Sequence, residues 1–417
     1  MASLSSMGSA SAAAAPPAER LAARPHVILL ASPGAGHLIP LAELARRLVE
    51  LHGFAATIVT FTNFSALELL ACLPASVATV ALPAVQMDDL PKNGGVLVEL
   101  TRRSLPNIRA LVRSISNSTS TAPLAALVAD FMCSTALPIA AELGVPGYLF
   151  VPSNLAHVAL TRYVVEINEG AAPGEYRDLA VPLELPDGVS LRHADLPDGY
   201  RSKHQEQPYV QTVEWSRCHC LGDGVLVNTF YEMEPATVEA FKQLAVPEQG
   251  SGAFFFPPVF PVGPSVAFGS RRALSVEQTA ELAAGLETCG QRFLWVVRMP
   301  STAGGDDPLA WLPEGFLART SGRGLAVAAW APQVRMLAHP ATAAFVSHCG
   351  WNSTLESVGC GVPMLAWPLY AEQRMNALLL EQKLGMALRV PPSREDGRCL
   401  VTRHEIAKAV KELMEGD

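Results

Sequence analysis

HVILLASPGAGHLIPLAELARRLVEL, residues 26–51, decides the fold. Residues 26–32 form a continuous, mostly apolar run, the pattern of a strand covered on both faces. Pro33-Gly34-Ala35-Gly36 interrupts it, and residues 38–51 then repeat apolar positions at helical spacing. The unit is strand, glycine turn, helix.

Further apolar runs at 57–61, 125–129, 148–151 and 224–227 alternate with helical stretches at 134–143 and 154–165. Such alternation indicates a parallel sheet with helices on both faces. A second series starts near Pro264: strand 266–268, helix 275–289, strands 293–297, 325–328 and 343–346, helix 353–358, strand 363–367, helix 373–383. At 417 residues the chain exceeds one ordinary core, so two domains of roughly 100–200 residues are expected. The pattern predicts an α/β chain with a disordered leader at 1–24, one Rossmann-like domain at 25–263 and another at 264–417. Two doubly wound domains in tandem place the ligand crevice between them, at strand C-terminal ends. Residues 169–207, punctuated by proline and glycine, read as a surface excursion near that cleft.

Hydrophobic residues make up 49% of the chain and charged residues 17%, which supplies a large core and excludes disorder. A net charge of −8 argues against a broad basic nucleic-acid face and favours a small-molecule substrate. The 8 cysteines are scattered without a CxxC pair, which fits reduced thiols and a cytoplasmic setting. Cys218-His219-Cys220 lacks a second ligand pair at a recognisable spacing, so it does not read as structural zinc. No apolar run approaches the roughly 18 residues of a membrane-spanning helix. The leader, MASLSSMGSASAAAAPPAER, has a single arginine and no apolar core, so it reads as low complexity rather than as a targeting peptide.

WAPQVRMLAHPATAAFVSHCGWNSTLESVGCGVPMLAWPLYAEQ, residues 330–373, concentrates the side chains of a binding site. Within it HCGWNS sets a glycine turn, a potentially cationic His348, and the amide and hydroxyl of Asn352 and Ser353 ahead of a short helix. That arrangement aims backbone N–H groups at a phosphate. Ungapped over its whole length, the block resembles the diagnostic box of plant secondary-product UDP-glycosyltransferases. The resemblance implies the GT-B fold, two Rossmann-like domains facing across a cleft, with the acceptor on the first domain and the UDP-sugar on the second. It implies that Trp330 stacks on uracil, that the Ala331 backbone and the Gln333 side chain contact base and ribose, and that Glu356 takes the ribose hydroxyls. His348, Asn352 and Ser353 match diphosphate contacts, and Gly350 lets the backbone come close. Trp351, Glu372 and Gln373 match positions facing the sugar, Gln373 favouring glucose. Ser270 falls where a hydroxyl reaches a phosphate, and Ala371 on the acceptor side. From the residues alone, Trp330 reads equally as a buried core tryptophan, and Ser353-Thr-Leu-Glu356 as a capping box.

His37 follows SPGAG at the tip of the first strand, where this fold puts ligand contacts. GAGHLI has Ile39 where a dinucleotide fingerprint needs its third glycine, and no acid closes the next strand, which weakens an oxidoreductase reading. Asp130 ends LAALVAD and by itself reads as a helix cap. SPGAGHLIP matches the first motif of the UDP-glycosyltransferases, and the resemblance makes His37 the general base and Asp130 the group that orients it. A phenol of pKa near 10 is mostly neutral at cytosolic pH, so a base in reach is worth roughly 10²–10⁴ in rate. There is no GxSxG nucleophile elbow. No Asp-x-Asp is present to hold a divalent metal, and the adjacent Asp306-Asp307 reads as solvated, so no metal is expected and UDP-glucose enters only as co-substrate.

The resemblance thus implies a monomeric, inverting UDP-glucose-dependent O-glucosyltransferase of small phenolic or phenylpropanoid acceptors. ASPGAGHLIPLAELARRL and LSVEQTAELAAGLETCGQRFLWVVR look most like the hydroquinone and monolignol glucosyltransferase branch. Two regions depart from the family pattern. After Phe260-Pro-Val-Gly-Pro264 the family continues through an acidic linker, whereas here Pro264 runs straight into SVAFGS, with Ala267 for a serine. The chain also stops at Asp417, within or just after a helix expected at 402–414, where family members continue into terminal helices. These departures set up a rival expectation: a family member that binds UDP or phenolics without efficient turnover.

Overall fold

The computed structural model of the protein describes residues 24–64, 70, 73–89, 95–117, 123–170, 182–202, 206–244, 256–263, 274–298, 307–328, 330–390 and 400–415. In the first half the strands are β1 (His26–Leu30), β2 (Ala55–Phe61), β3 (Val77–Leu82), β4 (Leu124–Asp130) and β5 (Gly147–Val151). A short antiparallel hairpin, β6 (Leu183–Glu184) with β7 (Ser190–Leu191), precedes β8 (Gly224–Val227) and β9 (Val259–Pro261). All but the hairpin join one 7-stranded parallel sheet in the order β3-β2-β1-β4-β5-β8-β9. The winding direction reverses between β1 and β4, and a doubly wound sheet opens its crevice at such a point. His37, just after β1, and Asp130, the last residue of β4, are delivered to that one crevice.

The helix after β1, Ala35–His52, starts at Gly34, whose φ of 120° a side chain would resist, and ends at the left-handed Gly53. It buries Leu38, Leu41, Ala42, Ala45 and Val49 against the sheet. Pro40 lies inside it and has no N–H for the Gly36 carbonyl four residues back. That carbonyl accepts instead from Asn352 Nδ2 of the second half, at 3.4 Å.

In the second half β10 (Phe293–Val297) pairs in parallel with β11 (Gly324–Ala328). β12 (Phe345–Ser347), β13 (Met364–Ala366) and β14 (Ala387–Arg389) form a separate parallel piece. Helices Val276–Thr288 and Arg403–Glu415 share a core with Leu365 and Val390. The strand expected at 266–268 and the altered segment around Ala267 lie outside the described residues.

Residues 182–202, expected as part of a surface excursion, are instead a wedge between the halves. Leu185, Val189, Leu191, Leu196 and Tyr200 are buried together with Trp351, Leu355, Met375, Leu378 and Leu379. Their spacing shows no period because each enters the core from a turn, a two-residue strand or a single helical turn. Among the described residues, no helix is long and apolar enough to cross a membrane.

Candidate active site

Asp130 is fully buried, and its carboxylate accepts from three directions. The Ser32 hydroxyl and the Met132 N–H, at 3.1 Å, donate to Oδ1. His37 Nδ1 lies 3.1 Å from Oδ2. An ionised carboxylate only accepts, so Nδ1 carries the ring proton and Nε2 becomes the acceptor nitrogen. The cap expected from the sequence is real, since Asp130 N-caps the turn Phe131–Ala136, and it coexists with the histidine contact. The His37 ring, a quarter exposed, also stacks on Phe131 at 5.3 Å between centroids. Phe131 is fixed from behind by Trp215, whose indole N–H donates to the Phe131 carbonyl at 2.6 Å. Neither Ser32 nor Phe131 was identified from the sequence, although each lies in or beside the two motifs that were.

Across the crevice, helix Trp351–Gly359 has Gly350 as its N-cap residue, and its first backbone bond runs from Thr354 N to Gly350 O. The N–H groups of Trp351, Asn352 and Ser353 therefore precede the helical ladder, the arrangement that attracts an anion. The capping box expected at Ser353 is absent because the helix begins two residues earlier than its apolar pattern indicated. Ser353 Oγ and Glu356 Oε2 instead both receive Gln333 Nε2, at 3.0 and 2.6 Å. Cys349, just before the cap, has φ 60°, a left-handed conformation uncommon for a residue with a side chain. Its carbonyl is held by Asn376 Nδ2 at 2.8 Å, and the Asn376 oxygen accepts from Asn154 of the first half at 2.7 Å.

A Cβ on Gly350 would come within 2.4 Å of His348 Nε2, so glycine is what lets the imidazole lie over the turn. His348 is not a cation: burial, helped by the charge of Arg298, pushes its pKa down to about 4. The positive charge near this turn belongs to Arg298, one residue past β10 and not singled out by sequence. Asn352 is buried, and its Oδ1 has no hydrogen-bond partner among the described residues.

Trp330 is 62% exposed, which removes the core-tryptophan reading. Ala331 and Gln333 follow it into the short helix Gln333–Leu337. Trp351 is buried in the wedge core, its indole N–H donating to Asn228 O at 2.7 Å, so its side chain faces the first half. Gln373 Oε1 accepts from Leu369 N at 2.8 Å and Tyr370 N at 3.0 Å. Glu372 is partly buried, and desolvation holds its carboxyl above the usual carboxylate range, a rise that the nearby His37 opposes. Ala371 has φ 52°. Ser270 and Asp306 lie outside the described residues, while Asp307 caps a turn by accepting from Leu309 N.

His219 of the Cys-His-Cys run is buried against Trp215, and burial pushes its pKa down to about 3. Among the described residues, no cluster of three or more metal-ligating side chains occurs.

Residues 265–417 match the family described as UDP-glucoronosyl and UDP-glucosyl transferase. A hydroquinone glucosyltransferase of Rauvolfia serpentina is 39% identical, the alignment covering 94% of this chain and 90% of the relative. The structure of Phytolacca americana UGT2 complexed with UDP-2fluoro-glucose and pterostilbene is similar with a TM-score of 0.83 and 38% identity, over 95% of this chain and 91% of that one. A Polygonum tinctorium UDP-glucosyltransferase capable of glucosylating indoxyl, solved with 3,4-dichloroaniline, gives a TM-score of 0.83 and 38% identity over 95% and 91%.

Proposed function

The chain belongs to the UDP-glucoronosyl and UDP-glucosyl transferase family and is a GT-B glycosyltransferase of the plant type, and from that premise we propose that it transfers glucose from UDP-glucose to a small phenolic or phenylpropanoid hydroxyl. The observation that carries the reading is His37 Nδ1 on the buried Asp130 carboxylate, beside the crevice that Asn352 closes from the other half. Substrates named for similar proteins, hydroquinone, pterostilbene and indoxyl among them, support the acceptor class.

His37 Nε2 takes the acceptor's phenolic proton as the oxygen forms its bond to the anomeric carbon. The bond from that carbon to the UDP oxygen breaks on the opposite face, so configuration inverts and no covalent intermediate forms. Asp130 steadies the imidazolium. Charge developing on UDP meets the N-terminus of helix Trp351–Gly359 and the Asn352 amide, with Arg298 supplying positive charge nearby. His348, neutral at rest, contributes a ring N–H rather than a charge. Trp330 is exposed to stack on uracil, Ala331 and Gln333 face base and ribose, and Glu356, already bonded to Gln333, faces the ribose hydroxyls. Gly350 gives the diphosphate room, Ser353 bonds it, and Trp351 reaches the sugar through its backbone N–H. Glu372 and Gln373 meet the sugar hydroxyls, with Ala371 at the acceptor edge.

Incubation with UDP-glucose and a panel of simple phenols tests the reading. A β-glucoside is expected from the α-configured donor. UDP binding with no glucoside from any phenol would sink the reading, and an α-glucoside would contradict inversion.

A further inference from the structure

The turn that carries the sugar-facing residues is not held by its own half alone. Gln373 Oε1 takes the N–H groups of Leu369 and Tyr370. The next N–H, that of the left-handed Ala371, donates to Asp198 Oδ2 at 3.0 Å. Asp198 belongs to the first half, on the helical turn Asp198–Arg201. That turn is anchored by the buried Tyr200, whose hydroxyl pairs with Thr161 Oγ1 at 2.9 Å. The other carboxylate oxygen of Asp198 accepts from Arg201 and, at 3.0 Å, from Arg374 Nη1, one residue past Gln373. Asp198 is half exposed, and an exposed ion pair alone is worth little. A charged acceptor on the N–H of a strained residue does more, because it favours a conformation the chain would otherwise leave.

We propose that Asp198 is a positioning residue for the sugar end of the donor site: from the acceptor half it fixes the turn 369–373, so discrimination of the sugar depends on the two halves being docked. The proposal rests on the UDP-glucose reading above. It makes UDP binding and sugar binding separable, because the uracil and phosphate positions lie on other elements.

The test compares wild type, Asp198→Ala and Asp198→Asn, the last keeping an oxygen for the Ala371 N–H while losing the charge. In the ligand-free protein, amide exchange at Ala371 is expected to quicken in Asp198→Ala and to stay near the wild-type rate in Asp198→Asn. By calorimetry, Asp198→Ala is expected to weaken UDP-glucose about tenfold and UDP by less than about twofold, with Asp198→Asn recovering most of the difference. Unchanged exchange at Ala371, equal loss of UDP and UDP-glucose, or no loss of either overturns the proposal. A wild type that binds neither nucleotide sinks the UDP-glucose reading instead, and exchange at Ala371 then decides the hold of Asp198 by itself.

Discussion

The two halves hold their functional residues by different means. In the first, β1 is buried at every position and leads directly to His37, while Asp130 closes a strand buried over its last five residues. Precision there comes from a sealed sheet. In the second half Leu294 on β10 is 40% exposed and Leu325 on β11 is 56% exposed, and the described strands fall into two separate pieces. Its cradle is braced from outside: Asn154 through Asn376 on Cys349, Asn228 on Trp351, Asp198 on Ala371. The first half thus supplies the base and also much of the frame in which the donor site sits.

One substitution made in both sheets probes this contrast most strongly. Leu29→Ala, at a fully buried position of β1, is expected to cost about 2–5 kcal/mol in chemical denaturation. Leu325→Ala on β11 should stay within about 0.5 kcal/mol. Equal costs would break the comparison. The next effect is acid sensitivity of the first half. Burial pushes His157 to about 4 and His219 to about 3, below the 6.5 of an unperturbed imidazole. Between those values the unfolded chain binds protons that the folded chain refuses, so the stability present above about pH 6.5 is lost as pH falls through about 4 and 3. Denaturation midpoints should therefore drop between pH 7 and pH 5, on the order of a few kcal/mol at full protonation, and His157→Gln should flatten the slope. A wild-type midpoint equal at both pH values would contradict this. Smallest is Gly350→Ala, whose φ of −60° suits alanine, so that only the His348 ring objects. Displacing that ring is expected to weaken UDP by about 1–3 kcal/mol, read by calorimetry.

The contrast also tracks what was legible in the sequence. Continuous apolar runs located β1, β4 and β5 to within two residues, and β8 and β10 at both ends, because a strand buried on both faces writes its burial into adjacent positions. The motif around His37 and the block at 330–373 gave nearly every candidate site residue. Helix Val96–Asn117 and strand β3 were not singled out, β3 because Thr79 interrupts its apolar run and only its end residues Val77 and Leu82 are buried. What failed was long-range. Ser353-Thr-Leu-Glu356 looked like a cap because local spacing cannot show that Gln333 claims both side chains. Residues 182–202 looked like a loop because the partners of Asp198 and Leu196 come far along the chain. His348 looked cationic because burial and Arg298 are properties of the fold.

The central claim is a division of labour: His37 of the first half moves the proton, and the second half grips UDP. Its most direct test is His37→Ala, measured for UDP affinity by calorimetry and for the initial rate of glucoside formation from UDP-glucose and a simple phenol. The account predicts a rate lower by roughly 10²–10⁴ with UDP affinity unchanged. A variant that turns over as fast as wild type, or that loses its rate only in proportion to lost UDP binding, would contradict it.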